Sequence, residues 1–131
     1  MQPSIDRLLF AENDQESLIF KMLPEALAAV PFHRNTAAIT RYTAKRFPLH
    51  LGVHQVSPVQ YPPLEYTEPH VHEDYDEVNL IISEQELVYR IQLEDEVYTV
   101  SNNACIWIPR GVIHSANVLK GTGYYIAIRI D

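Results

Sequence analysis

Residues 68–80 read EPHVHEDYDEVNL, and the alternation within this stretch decides the fold. On an extended chain successive side chains point to opposite faces, so His70 and His72 project from one face together. The run 73–76 has the composition of a turn, and Glu77 opens a second extended segment, EVNLII. If the two segments lie side by side, Glu77 returns to the face that carries both imidazoles. In EVNLII, Glu77, Asn79 and Ile81 oppose Val78, Leu80 and Ile82, so both faces are partly apolar. A strand of that kind is expected to be covered twice, from inside a barrel and from outside by the N-terminal segment or a second copy of the chain.

Short apolar runs with punctuation continue on either side. The spacing predicts strands over 51–56, 64–72, 77–82, 87–93, 96–100, 104–108, 112–119 and 123–130. Ser57-Pro58, Pro62-Pro63, Glu84-Gln85, Glu94-Asp95, Ser101–Asn103, Pro109–Gly111 and Lys120-Gly121 separate them. In 87–93, Leu87, Tyr89, Ile91 and Leu93 share a face and should point inward. Short strands with frequent turns and no intervening helix predict an all-β sandwich or barrel rather than a parallel α/β sheet. The first 48 residues differ in texture. Residues 15–30 (QESLIFKMLPEALAAV) place Leu18, Met22, Leu23, Leu27 and Val30 near one side at helical period, with Asn13 or Asp14 as cap, a kink at Pro24 and an end at Pro31. The expected organisation is therefore a helical or extended segment over 1–48 packed on a β-barrel over 49–131.

With 131 residues the chain suits one domain, and 47% apolar with 21% charged residues suits a soluble globule. Nothing approaches the run of about 18 apolar residues a membrane span needs. The N-terminal stretch lacks a secretory pattern, and Cys105 is the one cysteine, so a cytoplasmic protein without disulfides is expected. The net charge of −7 argues against a nucleic-acid partner, and the cluster Arg41, Lys45 and Arg46 is expected to be a solvated face. Trp107 and Cys105 are expected in the core.

A second stretch, residues 107–118 (WIPRGVIHSANV), offers His114 just past a Pro-x-Gly turn that aims the following strand back across the sheet. A His-x-His pair alone is more often two turn histidines than a site. Three histidines on predicted strands, with a carboxylate at a compatible offset, form a ligand set for one divalent transition metal such as Zn, Fe, Mn or Ni. Such a set leaves coordination positions open, as metal catalysis requires. Asp76 is the fallback ligand if the register slips by one residue.

These residues resemble the two motif blocks of the cupin superfamily. The first block reads His-x-His, three or four residues, then Glu, which His70, His72 and Glu77 fit; the second reads Pro-x-Gly-x-x-His, which Pro109, Gly111 and His114 fit. The resemblance covers roughly the second half of the chain. It implies a jelly-roll barrel, also called a double-stranded β-helix, with a three-histidine, one-glutamate metal site of the RmlC-like kind. Leu64, Glu84 and Asn103 stand where the family usually has glycine, and Asn117 stands one residue before the family's usual asparagine. Family members include dioxygenases, isomerases, decarboxylases and lyases, so a metal-dependent enzyme acting on a small organic molecule is the leading expectation. A non-catalytic small-molecule or sugar sensor is the alternative. Tyr89, Tyr125 and Arg129 are the candidate catalytic residues by strand parity, Arg129 being suited to a substrate carboxylate or phosphate. The open strand edges and the doubly apolar strand from Val78 predict a homodimer.

Overall fold

The computed structural model describes residues 18–131. Eight antiparallel strands build it: β1 (Leu23–Glu25), β2 (Ile39–Thr43), β3 (Leu51–Val59), β4 (Asp76–Ile82), β5 (Leu87–Leu93), β6 (Glu96–Ser101), β7 (Ala104–Ile108) and β8 (His114–Ile130). The larger sheet runs β1-β2-β3-β8-β4-β7. A smaller one sets β6 beside β5 and β5 beside the first half of β8. The strand pattern predicted a sandwich or barrel, and the result is the jelly-roll barrel that the cupin resemblance implied.

The long strand β8 joins the two sheets. From His114 to Gly121 it pairs with β5; from there to Ile130 it pairs with β3 and β4. The sequence predicts a turn at Lys120-Gly121 dividing two strands. Instead the ladder continues through a bend, because Gly121 takes φ +103°. A side chain there would collide with the neighbouring strand entry: a Cβ would lie 1.9 Å from the Glu86 carbonyl oxygen. Glycine is the residue that permits both the dihedral and the close approach.

The N-terminal expectation is corrected. Leu23–Glu25 forms a strand and Leu27–Ala29 a single 3-10 turn, not a helix. Pro24 would break a helix ladder, whereas β1 is an edge strand and tolerates a residue without an N–H. The expected capping residues and residues 15–17 of that helix lie outside the described residues, and residues 18–22 form no α-helix. The same reading missed β2, whose alternation points Ile39 and Arg41 into the barrel, both buried.

The predicted strand over 64–72 is also irregular. Only two isolated bridges mark it, Thr67 to His33 and His70 to His114. Pro62, Pro63 and Pro69 deny it a continuous set of donors. The buried side chain of Asn117 takes the place of a neighbouring strand. Its Oδ1 accepts from the backbone N–H groups of Tyr66 (2.8 Å) and Thr67 (3.0 Å), and its Nδ2 donates to the Thr67 carbonyl (3.1 Å). Tyr66 then anchors the core with Val56, Ile81, Leu87, Tyr89, Ile91 and Val118.

The outward face of the larger sheet stays apolar, with Val78 and Leu80 half-buried and Ile82, Trp107 and Tyr124 exposed. Cys105 lies on the same side and is exposed, so neither it nor Trp107 belongs to the core as expected. Alternation put both on the outward side of β7, opposite Ile106 and Ile108. Among the described residues no helix is long and apolar enough to cross a membrane.

Replacing Asn117 by Ala leaves two buried backbone donors without partners. The expected loss is about 2–4 kcal/mol in urea unfolding at neutral pH. A loss below about 0.5 kcal/mol would show that the side chain does not hold this segment.

Candidate metal centre

His70 and His114 lie opposite each other and exchange both backbone hydrogen bonds, His70 N–H to the His114 carbonyl (3.0 Å) and the reverse (2.8 Å). Opposed residues of an antiparallel pair present side chains to the same face, and their rings come to a centroid distance of 4.4 Å. His72 joins them at 4.8 Å from His70 and 5.1 Å from His114. One ring nitrogen from each of the three lies within 4.8 Å of the others, a spacing that could hold one metal ion. Glu77 enters from the start of β4, its Oε1 lying 3.5 Å from His72 Nε2 and 3.8 Å from His114 Nε2. The four residues singled out in the sequence therefore converge.

Each imidazole is fixed from behind. Nδ1 of His70 bonds the Glu68 carbonyl (2.8 Å), and Nδ1 of His114 bonds the Val112 carbonyl (2.9 Å). Both nitrogens must then carry a proton, so Nε2 is the atom by which either neutral ring would meet a metal ion. Nδ1 of His72 meets the Tyr75 hydroxyl at 2.7 Å. Burial lowers the pKa of His70, and it lowers that of His72 to about 4 against the pull of Glu77. Both rings are accordingly neutral at pH 7. Nε2 of His114 is buried with no hydrogen-bond partner. An orphaned buried acceptor beside two more free imidazole nitrogens and a carboxylate fits a divalent cation.

The carboxylate is held by a relay from the core. Asn79 Nδ2 donates to Glu77 Oε2 (2.7 Å), and the Tyr125 hydroxyl donates to Asn79 Oδ1. This occupies Oε2 and leaves Oε1 to the histidines. Tyr125 is pushed well above the ordinary tyrosine pKa, chiefly by burial, so it keeps the proton it donates. Tyr89 does not reach the cavity. It is fully buried, bonds the Tyr66 hydroxyl (2.9 Å) and stacks behind Tyr125 at 4.6 Å. The inward parity predicted for Tyr89 was right, but its depth in the barrel makes it core. Asp76 is engaged elsewhere, its Oδ1 accepting from the backbone and side chain of Arg110.

A cavity of about 290 Å³ surrounds the cluster. All six histidines of the chain line it: His33, His50 and His54 besides the three already described. Tyr125 and Arg129 line it too, as parity predicted. Arg41 also lines it, buried and ion-paired to Glu25, not part of a solvated face. The segment 30–33 supplies another wall, where Phe32 stacks on His70 at 5.0 Å. Sequence reasoning missed His54 although the signal was present: in 51–56, Gly52, His54 and Val56 share a face, and Val56 is core. Nothing comparable announced Phe32 or His33, which sit in irregular chain.

No protein-family model matches the sequence, and no curated protein matches it. Solved structures do. An RmlC-like cupin from Shewanella frigidimarina aligns with a TM-score of 0.56 at 11% identity, over 85% of this chain and 86% of that one. Iron(II) HppE aligns at 0.54 and 16% identity, over 84% of this chain and 56% of that one. The polyketide cyclase RemF from Streptomyces resistomycificus aligns at 0.52 and 19% identity, over 87% and 76%. At such identities the likeness shows the fold: the chain has the jelly-roll fold of an RmlC-like cupin.

His54 supplies a pH test of this interior. Burial, reinforced by Arg41 and His33, lowers its pKa from 6.5 to about 3. The unfolded chain thus binds a proton that the folded chain refuses. The resulting stability is present above pH 6.5 and is lost as pH falls toward 3. In chelator-treated protein, His54→Gln should remove acid sensitivity on the order of 3 kcal/mol between pH 7 and 4. Parallel stability profiles for wild type and variant would contradict the buried neutral ring.

Proposed function

We propose that the chain is a metal-dependent enzyme of cupin type acting on a small organic molecule. His70, His72, His114 and Glu77 hold one divalent transition metal ion. The observation that carries the reading is the convergence of three imidazoles, each already committed through Nδ1, on a buried point where Nε2 of His114 has no partner. The likeness in fold to an iron(II) protein and to a cyclase supports it. When bound, such an ion supplies Lewis-acid polarisation of a substrate oxygen.

The chain's own residues do the rest. Tyr75 orients His72 through Nδ1, and the Tyr125–Asn79 relay fixes the Glu77 carboxylate. Phe32, Pro31 and Ile128 line the walls and limit water around the reacting group. Arg129 gives the cavity a fixed positive end for orientation. Tyr125, holding its proton against Asn79, serves as a positioning donor rather than a base.

Elemental analysis tests the reading. Purified wild type is expected to carry about one transition-metal ion per chain, and His70→Ala/His72→Ala close to none. Equal metal in both ends the proposal. Asn79→Ala and Tyr125→Phe should weaken metal affinity by about 10–100-fold while retaining the fold, as measured by competition with a chromogenic chelator.

We also propose that the apolar outward face of the larger sheet packs against a second copy of the chain. The exposure of Ile82 (41%), Trp107 (54%) and Tyr124 (44%) on one face supports this. Sedimentation at micromolar concentration should give a dimer, and Trp107→Glu a monomer that still holds metal.

A further inference from the structure

Two arginines reach the cavity, and they differ in what balances their charge. Arg41 is ion-paired to Glu25 and lies over Gly52, where a Cβ would come 2.7 Å from its terminal nitrogen. Its charge is compensated within the fold. Arg129 extends from β8 beside Glu77 in the register, yet among the described residues no carboxylate lies within ion-pair distance of it. Its Nε is buried without a hydrogen-bond partner. The Tyr75 ring takes one face of the guanidinium, its centroid 3.9 Å from Cζ. Tyr75 stacks in turn on His72 at 4.6 Å, so the cation is layered directly behind a candidate metal ligand.

The charges lining this space are few, and their pairing is definite. Glu77 is the one acidic residue among the described residues lining the cavity, its Oε2 accepting from Asn79 and its Oε1 facing His72 and His114. With Arg41 paired to Glu25, Arg129 is the lining cation left without an ion pair among the described residues, inside a chain of net charge −7. A partly buried guanidinium without a counter-charge is costly, and its planar fork matches a carboxylate with two parallel hydrogen bonds. Ile128, Phe32, Pro31 and Val30 offer an apolar body the remaining wall.

We infer that the cavity takes a small organic carboxylate, with Arg129 as the residue that binds the carboxylate group beside the three histidines. This deepens the metal-site proposal and rests on it for the position of the substrate's reacting end. Selection against uncharged analogues then lies in Arg129, outside the ligand set.

Benzoate and its uncharged counterpart benzamide are the probes, titrated by calorimetry into metal-loaded and chelator-treated protein. Wild type should prefer benzoate by about tenfold or more in both forms. Arg129→Gln should lose that preference by weakening benzoate alone, with metal content unchanged, and Arg129→Lys should keep part of it. Equal affinity for the two probes, no benzoate binding at about 10 mM, or full benzoate affinity in Arg129→Gln would overturn the inference. If Arg129→Gln does not fold by circular dichroism, the wild-type probe pair and Arg129→Lys decide. Loss of the metal-site proposal would register separately, as absent metal in wild type with carboxylate preference intact after chelation.

Discussion

The reciprocal backbone pair between His70 and His114 is the contact on which the site depends. It is short, local in space and distant in sequence. It fixes two imidazoles on one face without calling on either side chain. His72 then falls on the same face two residues further on, and β4 returns Glu77 to it. The pair survives in a segment too rich in proline to form a strand because Asn117, on the same strand as His114, supplies the amide contacts a neighbouring strand would otherwise give. One strand, β8, therefore carries a candidate ligand at its start, the clamp three residues later and Arg129 near its end.

The interior carries buried tyrosine hydroxyls, an asparagine and imidazoles besides its apolar core, and these are organised in two layers. Behind the cavity lie the hydroxyls of Tyr66, Tyr89 and Tyr125, two of them bonded to each other and the third to Asn79. In front lie imidazoles kept neutral by burial, most firmly His54. Buried polar groups of this kind are tolerable only when nearly all are satisfied. Among the described residues, the buried side-chain atoms left without partners are His54 Nδ1, His114 Nε2 and Arg129 Nε, and all three belong to residues that line the cavity. The unsatisfied capacity of the fold is concentrated where a bound species could meet it.

Much of this was legible in the sequence, for a physical reason. Strict alternation fixed β4, β5 and β7 nearly to the residue, and it placed His70, His72, Glu77, Tyr125 and Arg129 on inward faces. Parity does not report depth, so Tyr89 was indistinguishable from a cavity residue. Nor does it report continuity: a glycine bend and a turn look alike at Lys120-Gly121. The largest departure lies in the N-terminal third. There, apolar spacing compatible with a helix was overruled by Pro24 and by the pairing of β1 and β2 with the growing sheet. His33, Arg41 and His54 went unrecognised because each becomes a site residue only through neighbours far away along the chain.

That N-terminal contribution divides the labour of the molecule. The candidate metal-holding residues stand on the later strands and their connections, whereas Pro31, Phe32, His33 and Arg41 supply further lining of the same chamber from the N-terminal third. Phe32 holds its place over His70 from a left-handed backbone conformation, φ 67°, that aromatic residues seldom adopt. Divergence confined to this leading stretch would reshape what the chamber admits while the cluster of three histidines and Glu77 stays untouched. Selectivity and reactivity would then evolve on separate parts of one small polypeptide.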